Sequence, residues 1–256
     1  MTALTAPSRW RGPSKWMVAG MVFFVAAVPF CLNWAVRALL NGNALTSLVA
    51  VGLGVSLCGY AAAGYRLYRR RVIPRATSTS DGTIVEPDYV SRRIMSTTFC
   101  GLILSGVLFA VLAPQDKVDL DLSDGQRLFF SIGALLVAIL CVPALIGSAF
   151  RDGPRIALGR QGVDFYNGRR WTTFQWDEIQ AILDYIPEGK SNTGHPITVI
   201  ATDDRQFTMD TPDSYTPGGT ALFWMLRYYW LTSDARDELA DGRAVTRYLE
   251  SRFEMI

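Results

Sequence analysis

The side chains that most often carry chemistry are scarce in this chain of 256 residues. The one histidine, His195, precedes Pro196 in a polar stretch, so a histidine-based metal site has no second ligand of its kind. The four cysteines fall in four different apolar segments without C-x-x-C spacing, as Cys31, Cys58, Cys100 and Cys141. We therefore expect no zinc site, no disulfide framework and no bound metal.

Two of the pairs of adjacent carboxylates are candidates for general acid and base chemistry. They are Asp203 with Asp204, in a predicted turn, and Asp237 with Glu238, on a charged helix surface. Neither pair has a histidine near it in sequence, so no acid–base partner is indicated.

An acidic stretch at residues 114–127 fails as a calcium loop. Counted from Asp119, an EF-hand needs glycine at its sixth position and glutamate at its twelfth, where this chain has Asp124 and Phe130. The sequence also contains no nucleophile elbow, P-loop, dinucleotide-binding fingerprint or metalloprotease motif. We expect a non-enzymatic protein that uses no cofactor.

The most prominent charged feature is an arginine cluster that follows one long apolar segment and precedes another. Its members are Arg66, Arg69, Arg70, Arg71 and Arg75. A basic cluster at the end of a bilayer-length segment stays on the cytoplasmic side of the membrane. The cluster therefore predicts the orientation of the chain, and contact with anionic lipid head groups is an additional interpretation.

Four apolar segments are each long enough to cross the hydrocarbon core of a bilayer. They cover residues 17–40, 44–65, 94–113 and 128–150. They leave an N-terminal segment at 1–16, a basic linker at 66–93, an acidic loop at 114–127 and a C-terminal half at 151–256.

The distribution of Lys and Arg predicts which side each connection occupies. Three lie before the first span and seven lie between the second and third, whereas the connection after the third span has only Lys117 and, at its boundary, Arg127. We therefore expect a multi-pass plasma-membrane protein with the linker and both termini in the cytoplasm and the acidic loop outside.

The second span places Gly52, Ser56 and Gly59 at intervals of three or four, a spacing typical of a helix face that packs closely against another helix. That neighbour is either a helix of the same chain or a helix of a partner. Near the far end of the first span, Arg37 either snorkels to the interface or contacts a substrate or a partner helix. The spans contain no Asp, Glu, Lys or His, which disfavours a transporter coupled to protons or ions.

The C-terminal half changes to short β-prone runs, at 155–158, 162–166, 171–176, 179–186, 197–202 and 205–209. Asn167-Gly168 between two of these runs is a hairpin signal. A helical run at 220–231 is rich in large apolar residues and follows Pro217-Gly218-Gly219. We expect an antiparallel sheet system capped by this helix, whose aromatic side chains pack in the core or dip into the membrane interface.

Charge excludes one class of partner for this half. Residues 151–256 contain twelve Lys/Arg against sixteen Asp/Glu, so the half is mildly acidic. A nucleic-acid-binding domain is normally basic, so we expect no nucleic-acid partner.

The β-prone half also resembles a known domain family. The pattern Ile156-x-Leu158-x3-Gly162-Val163-x-Phe165, followed by Phe174-x-Trp176-Asp177-Glu178-Ile179, is similar to the opening strands of bacterial pleckstrin-homology-like domains. The resemblance implies an α+β cytoplasmic domain, an antiparallel β-sandwich or barrel closed by C-terminal helices, beside the membrane helical bundle. Gly162, Trp176 and Ile179 are then structural residues of its core.

Two functional hypotheses follow from this arrangement. The first is an accessory or scaffold protein, whose partners are membrane lipids and proteins of the membrane or cytoplasm. The arrangement, with its Arg/Ala/Gly-rich composition, is similar to membrane proteins of mycobacteria that assist Mce-type lipid importers, which implies a role in a lipid transport complex. The alternative is a lipid-responsive sensor that binds anionic head groups through the linker and the pleckstrin-homology-like domain.

Overall fold

The computed structural model describes residues 4–10, 15–149, 153–168, 170–187 and 194–253. Its contacts divide the chain into two compact units. The helical unit comprises Lys15–Tyr65 and Val90–Arg151, and the sheet unit comprises Met1–Ser14, Arg66–Tyr89 and Asp152–Ile256. The last residue of the predicted fourth span, Phe150, and the basic flank residues Arg11 and Arg151 lie outside the described residues.

The helical unit contains four long helices, which confirms the prediction of four apolar segments long enough to span a membrane. They are α1 (Lys15–Leu40), α2 (Ala44–Tyr68), α3 (Tyr89–Leu112) and α4 (Asp124–Ala149). Helix α2 ends after the apolar limit read from the sequence and α3 begins before it, because the arginines at these ends are good helix formers.

The sheet unit contains two antiparallel sheets. The first has five strands in sequence order, β1 (Arg75–Thr79), β2 (Gly82–Glu86), β3 (Arg155–Leu158), β4 (Gly162–Tyr166) and β5 (Trp171–Gln175). The second has three, β6 (Ile179–Leu183), β7 (Ile197–Ala201) and β8 (Gln206–Met209). Three helices complete the unit, α5 (Thr220–Leu231), α6 (Glu238–Asp241) and α7 (Arg243–Leu249).

The structure corrects the predicted linker at 66–93, because two strands of the five-stranded sheet lie inside it. The hairpin turns through Ser80 and Asp81, with Thr79 paired to Gly82. Strand β2 then pairs with β3, so that Val85 faces Ile156. Its Ser/Thr-rich composition resembled a linker because β1 is mostly exposed, but threonine is also a good strand former.

The N-terminal segment, predicted as a separate piece at 1–16, also joins the sheet unit. The indole of Trp10 stacks on His195 with ring centroids 4.8 Å apart and donates to the carbonyl oxygen of Pro196 at 3.2 Å. Further along, the indole of Trp224 donates to the carbonyl oxygen of Thr5 at 2.9 Å. Residues from three distant parts of the sequence therefore build one domain.

One core fills the sheet unit. Its fully buried side chains come from both sheets and from α5, and they include Ile156, Phe165, Phe174, Ile182, Ile197, Leu222, Met225 and Leu226. The ring of Phe165 stacks on Phe207 at 4.5 Å and so joins the two sheets. Helix α5 buries Phe223 and Tyr229, and Trp230 donates to the carbonyl oxygen of Ile179 at 3.0 Å. The aromatic side chains of α5 thus serve largely as core residues.

Candidate functional site

The arginine cluster separates in the structure into residues with different surroundings. At the end of α2, the guanidinium of Arg66 donates to the Asp88 carboxylate at 2.7 Å. The Asp88 side chain is fully enclosed, and its backbone N–H donates to the carbonyl oxygen of Ser214 at 2.8 Å. Burying a carboxylate is costly unless it is paired with a cation, so Arg66 supplies the charge that Asp88 requires.

The next three arginines, Arg69, Arg70 and Arg71, are exposed where the chain leaves α2. The helix ends by bonds from the N–H groups of Arg70 and Arg71 to earlier carbonyls, and Arg70 adopts a positive φ of 51°. The Arg70 side chain lies over Gly218, where a Cβ atom would come within 3.4 Å of its Nε. These arginines therefore offer positive charge at the surface.

A row of charged and aromatic side chains crosses the end of the five-stranded sheet. It consists of Arg75, Glu86, Arg155, Tyr166 and Trp171. The register pairs Arg75 with Glu86, Arg155 with Tyr166 and Tyr166 with Trp171, and Glu86 and Arg155 adjoin the paired residues Val85 and Ile156. We call it the arginine–aromatic row. The guanidinium of Arg155 lies 5.3 Å from the ring of Trp171, and the rings of Tyr166 and Trp171 are 4.8 Å apart.

The row also marks where the chain enters and leaves the sheet. Strand β1 begins at Arg75 after α2, β2 ends at Glu86 before α3, and β3 begins at Arg155 after α4. Pro87 and Asp88 alone separate Glu86 from the first residue of α3. Since a residue spans at most about 3.6 Å of chain, Glu86 lies within roughly 11 Å of that helix end.

A cavity of about 380 Å³ lies beside the row, between the two sheets. Phe165, Phe207 and Tyr215 contribute apolar surface, and Arg155 and Asp210 contribute opposite charges. Its volume is near the lower end of the range for sites that bind small molecules. A cavity of this volume also admits one side chain of a bound protein.

The candidate carboxylate pairs are held by arginines. Arg205 binds Asp203 at 2.5 Å and Glu178 at 3.0 Å, and its hydrogen bond to Asp203 lowers the pKa of that carboxyl below its ordinary value. Asp237 is paired with Arg160 at 3.0 Å. Acid–base work at neutral pH needs a carboxyl whose pKa is raised, so Asp203 is unsuited to it.

Glu238 is buried in a polar cluster with α7. Arg247 donates to both of its oxygens, at 3.0 and 2.9 Å, and the Tyr229 hydroxyl donates to it at 3.2 Å. The hydrogen bond to Glu238 raises the pKa of Arg247, and burial raises the pKa of Tyr229 above its ordinary value. The cluster fixes α7 against α5, and it favours the charged form of Arg247 and the neutral form of Tyr229.

The residues of the family pattern lie where the two sheets meet. Trp176 is 2 % exposed and donates to the carbonyl oxygen of Gly159 at 2.9 Å, and Ile179 is buried beside it in the core. Gly162 pairs with Gln175, and a Cβ there would collide with the carbonyl oxygen of Phe174. Glycine is thus required for β4 and β5 to approach.

The α2 face formed by Gly52, Ser56 and Gly59 packs against α3 of the same chain, which is the first of the two alternatives that the sequence left open. Ser56 donates to the carbonyl oxygen of Thr98 on α3 at 3.0 Å, and Cβ atoms added at Gly52 or Gly59 would collide with α3 side chains. Close approach of α2 and α3 uses this face. Arg37 is exposed on α1.

Three residues that matter here were not singled out from the sequence, namely Asp88, Arg155 and Trp171. Asp88 directly precedes α3, so the preference for aspartate at a helix N-terminus was an available signal. Arg155 and Trp171 open β-prone runs, but their neighbourhood depends on strand register, which the sequence did not supply. Among the described residues, no group of three or more His, Cys, Asp or Glu could hold a metal ion.

No protein-family model, curated protein or solved structure matches this chain. The resemblance drawn from Gly162, Trp176 and Ile179 therefore stays a prediction.

Proposed function

We propose that this chain is a non-enzymatic accessory or scaffold protein of the plasma membrane, which presents a pleckstrin-homology-like interaction domain to cytoplasmic partners. The observation that carries the proposal is that residues 4–10, 75–86 and 153–253, separated by pairs of apolar helices, share one domain. If each helix crosses the membrane once, all three segments emerge on the same side. The sheet unit is then restrained by several chain connections, which lowers the entropy cost of presenting a binding surface.

The arrangement of the sheet unit supports the family assignment within this proposal. Two antiparallel sheets, of five and three strands, enclose a core that α5 covers. The hairpin of β1 and β2 and the short helices α6 and α7 are additions to the family pattern. Both additions enlarge the surface available to a partner.

The cytoplasmic side is assigned from the exposed arginines at the end of α2. Replacing Arg69, Arg70 and Arg71 together with glutamine is expected to give a mixed orientation, because the positive-inside rule weights basic residues next to a span. A reporter fused to the C-terminus and assayed on intact cells measures the inverted fraction.

The matched control removes the same charge from the sheet unit through Arg160→Gln, Arg243→Gln and Arg252→Gln, whose side chains are 64 %, 64 % and 66 % exposed. Its orientation should be unchanged. A uniform orientation of the first variant, equal to that of the control, would show that these arginines do not set the topology.

Binding to a partner is expected to depend on the arginine–aromatic row. Trp171 is 49 % exposed although it is large and apolar. Interface hot spots are enriched in tryptophan and arginine, so we expect Trp171, which lies beside Arg155, to be a hot-spot residue. The full chain, extracted from its native membranes in mild detergent, should retain a protein partner at fixed stoichiometry. The Trp171→Ala variant should retain about tenfold less, on the order of one hot-spot residue.

Leu249→Ala is the control, because Leu249 is equally exposed at 48 % and is not a member of the row. It should retain the partner within about twofold, as expected for residues outside a hot spot. A chain that purifies alone, or equal loss in both variants, contradicts the scaffold proposal. A chain that purifies alone, and whose sheet unit exchanges backbone hydrogens more slowly only in nanodiscs that contain anionic lipid, would favour the sensor of anionic head groups instead.

A further inference from the structure

Strand β8 (Gln206–Met209) forms one edge of the three-stranded sheet, because it pairs only with β7. The side of β8 that faces away from β7 has no strand beside it in the part of the chain that the structure describes. The strand contains no charged residue, no proline and no bulge. Natural proteins protect edge strands with such features, since an open edge can pair with another chain.

The other three edge strands contact groups outside their own sheet. Helices α6 and α7 pack against β1. The Thr173 carbonyl of β5 accepts a hydrogen bond from the guanidinium of Arg205 at 3.2 Å, and the Ile179 carbonyl of β6 accepts one from the indole of Trp230 at 3.0 Å. Among the described residues, no comparable bond reaches the outer side of β8. This edge is therefore the open one.

The pairing with β7 shows which backbone groups of β8 are available. Just before β8, the N–H of Ala201 donates to the carbonyl oxygen of Arg205 at 2.9 Å. Hydrogen-bonded and non-hydrogen-bonded pairs alternate along an antiparallel ladder, so the backbone groups of Phe207 point toward β7 and those of Gln206 and Thr208 point outward. The Thr208 hydroxyl lies 3.3 Å from that of its partner on β7, as expected for a non-hydrogen-bonded pair, whose side chains are closer.

The cavity of about 380 Å³ lies along this edge. Phe207, Thr208 and Met209 line it, together with Phe165 and Tyr166 of β4. The ring of Phe207 stacks on Phe165, so the Phe207 side chain faces the five-stranded sheet. Directly opposed residues of paired strands place their side chains on the same face. A segment paired with β8 therefore directs the side chain opposite Phe207 into the cavity.

A second copy of the chain does not satisfy both features. Two β8 strands can pair with each other, but each would need a side chain that fills the cavity of the other. Phe207 stacks on its own Phe165 with ring centroids 4.5 Å apart, and Met209 packs on its own core, so neither side chain is available. An unfilled cavity forfeits dispersion contacts. An extended segment with a free apolar side chain both pairs with the edge and fills the cavity.

We propose that the sheet unit binds an extended segment of a partner protein as an added strand at the edge of β8. The N–H and C=O groups of Gln206 and Thr208 pair with the backbone of the segment, and one apolar side chain of the segment occupies the cavity. Arg155 and Tyr166 line the same cavity and belong to the arginine–aromatic row, so the bound segment continues onto that row. The inference rests on the scaffold function proposed above, since it names the kind of segment that the domain binds.

The test uses the full chain in phosphatidylcholine nanodiscs and a library of short random peptides displayed on phage. Selected peptides are synthesised, and their Kd values for the chain are measured by fluorescence anisotropy. Each should contain one apolar residue whose replacement with alanine weakens binding about tenfold or more, as loss of a buried apolar side chain implies. Methylation of alternate backbone nitrogens should weaken binding by about tenfold, whereas methylation of the nitrogens between them should not.

Thr208→Pro tests the edge from the side of the protein. It removes an outward-facing N–H and leaves the hydrogen bonds to β7 in place, and proline is tolerated on an edge strand in this orientation. The variant should bind the selected peptides about tenfold more weakly, since it loses a hydrogen bond and places a ring at the edge. Thr208→Val is the matched control, because it loses the same hydroxyl but keeps the N–H, and its Kd should change by less than about twofold.

The peptide methylation series uses the natural chain, so it decides the question even if Thr208→Pro does not fold. Selection of no binding peptide, equal Kd values for Thr208→Pro and Thr208→Val, or a methylation series without alternation would overturn the edge assignment. A dimer of the natural chain that Thr208→Pro dissociates would overturn it in favour of a second copy. A chain that retains its native partner but binds no peptide at β8 contradicts the edge assignment alone, whereas a chain that purifies alone contradicts the scaffold proposal.

Discussion

Replacing Asp88 with asparagine is expected to destabilise the sheet unit by about 3 kcal/mol, the lower end of the cost of breaking a buried ion pair. The Asp88 side chain is fully enclosed and Arg66 is 19 % exposed, so the substitution removes the negative charge of Asp88 from beside a largely buried guanidinium. The lower end applies because that residual exposure lets water partly solvate Arg66. A thermal shift of the purified full chain should show the unfolding transition of this unit lowered by about 10 °C.

Glu86→Gln is the matched control, because Glu86 lies two residues earlier and pairs with Arg75 at 3.7 Å with both side chains more than a third exposed. An exposed ion pair contributes at most about 1 kcal/mol, so this variant should shift the transition little. A double variant, Arg66→Met with Asp88→Leu, should recover part of the lost stability, since it removes both charges. Equal shifts for Asp88→Asn and Glu86→Gln would show that the buried pair contributes no more than a surface pair.

The four helices were predictable because length and hydropathy alone identify a segment that can span a bilayer. Helix α5 was also predictable, since a helix breaker precedes a dense apolar run at 220–231. The β4–β5 hairpin followed from Asn167-Gly168, where Gly168 has the positive φ of 88° that such a turn needs. In each case the signal lies within about twenty-five neighbouring residues.

The β1–β2 hairpin was missed because its partner strand is far away in sequence. Strand β2 pairs with β3, and two apolar helices separate them. The Asp81-Gly82 dipeptide is a hairpin signal, but exposed Ser and Thr on β1 made the stretch resemble a linker. One consequence is practical, since a fragment of residues 151–256 would lack β2 and expose the edge of β3.

The five arginines of the cluster are close together in sequence, but the structure places them in different surroundings. All five arginines were assigned to orientation, but Arg66 pairs with the buried Asp88 and Arg75 pairs with Glu86 on the sheet, whereas Arg69, Arg70 and Arg71 lie exposed where the chain leaves α2. Their separation depends on the turn at the end of α2 and on strand register. Neither can be read from charge spacing.

The small residues of α2 indicated close packing, and the structure shows that packing against α3. The sequence left open whether the neighbouring helix belonged to the same chain, because small-residue spacing identifies a helix face and not the helix that it contacts.

Replacing Trp176 with alanine is expected to destabilise the core of the sheet unit by about 3–5 kcal/mol, the usual cost of removing a buried tryptophan. The side chain is 2 % exposed, and its indole donates to Gly159 at 2.9 Å where β5 leads into β6. The substitution leaves a cavity and an unpaired carbonyl between the two sheets. Hydrogen–deuterium exchange of the full chain measures the effect, because amides of β4 and β7 should exchange about a hundredfold or more faster if they open globally.

Trp171→Ala provides the control within the same segment, since Trp171 is 49 % exposed and its loss should change core exchange by less than about threefold. Trp176→Phe keeps most of the apolar volume without the N–H donor, so its exchange should fall between the two, and it remains measurable if Trp176→Ala does not fold. Equal protection in Trp176→Phe and Trp171→Ala would mean that the indole hydrogen bond contributes nothing. The pattern of glycine, tryptophan and isoleucine would then be explained by apolar volume alone.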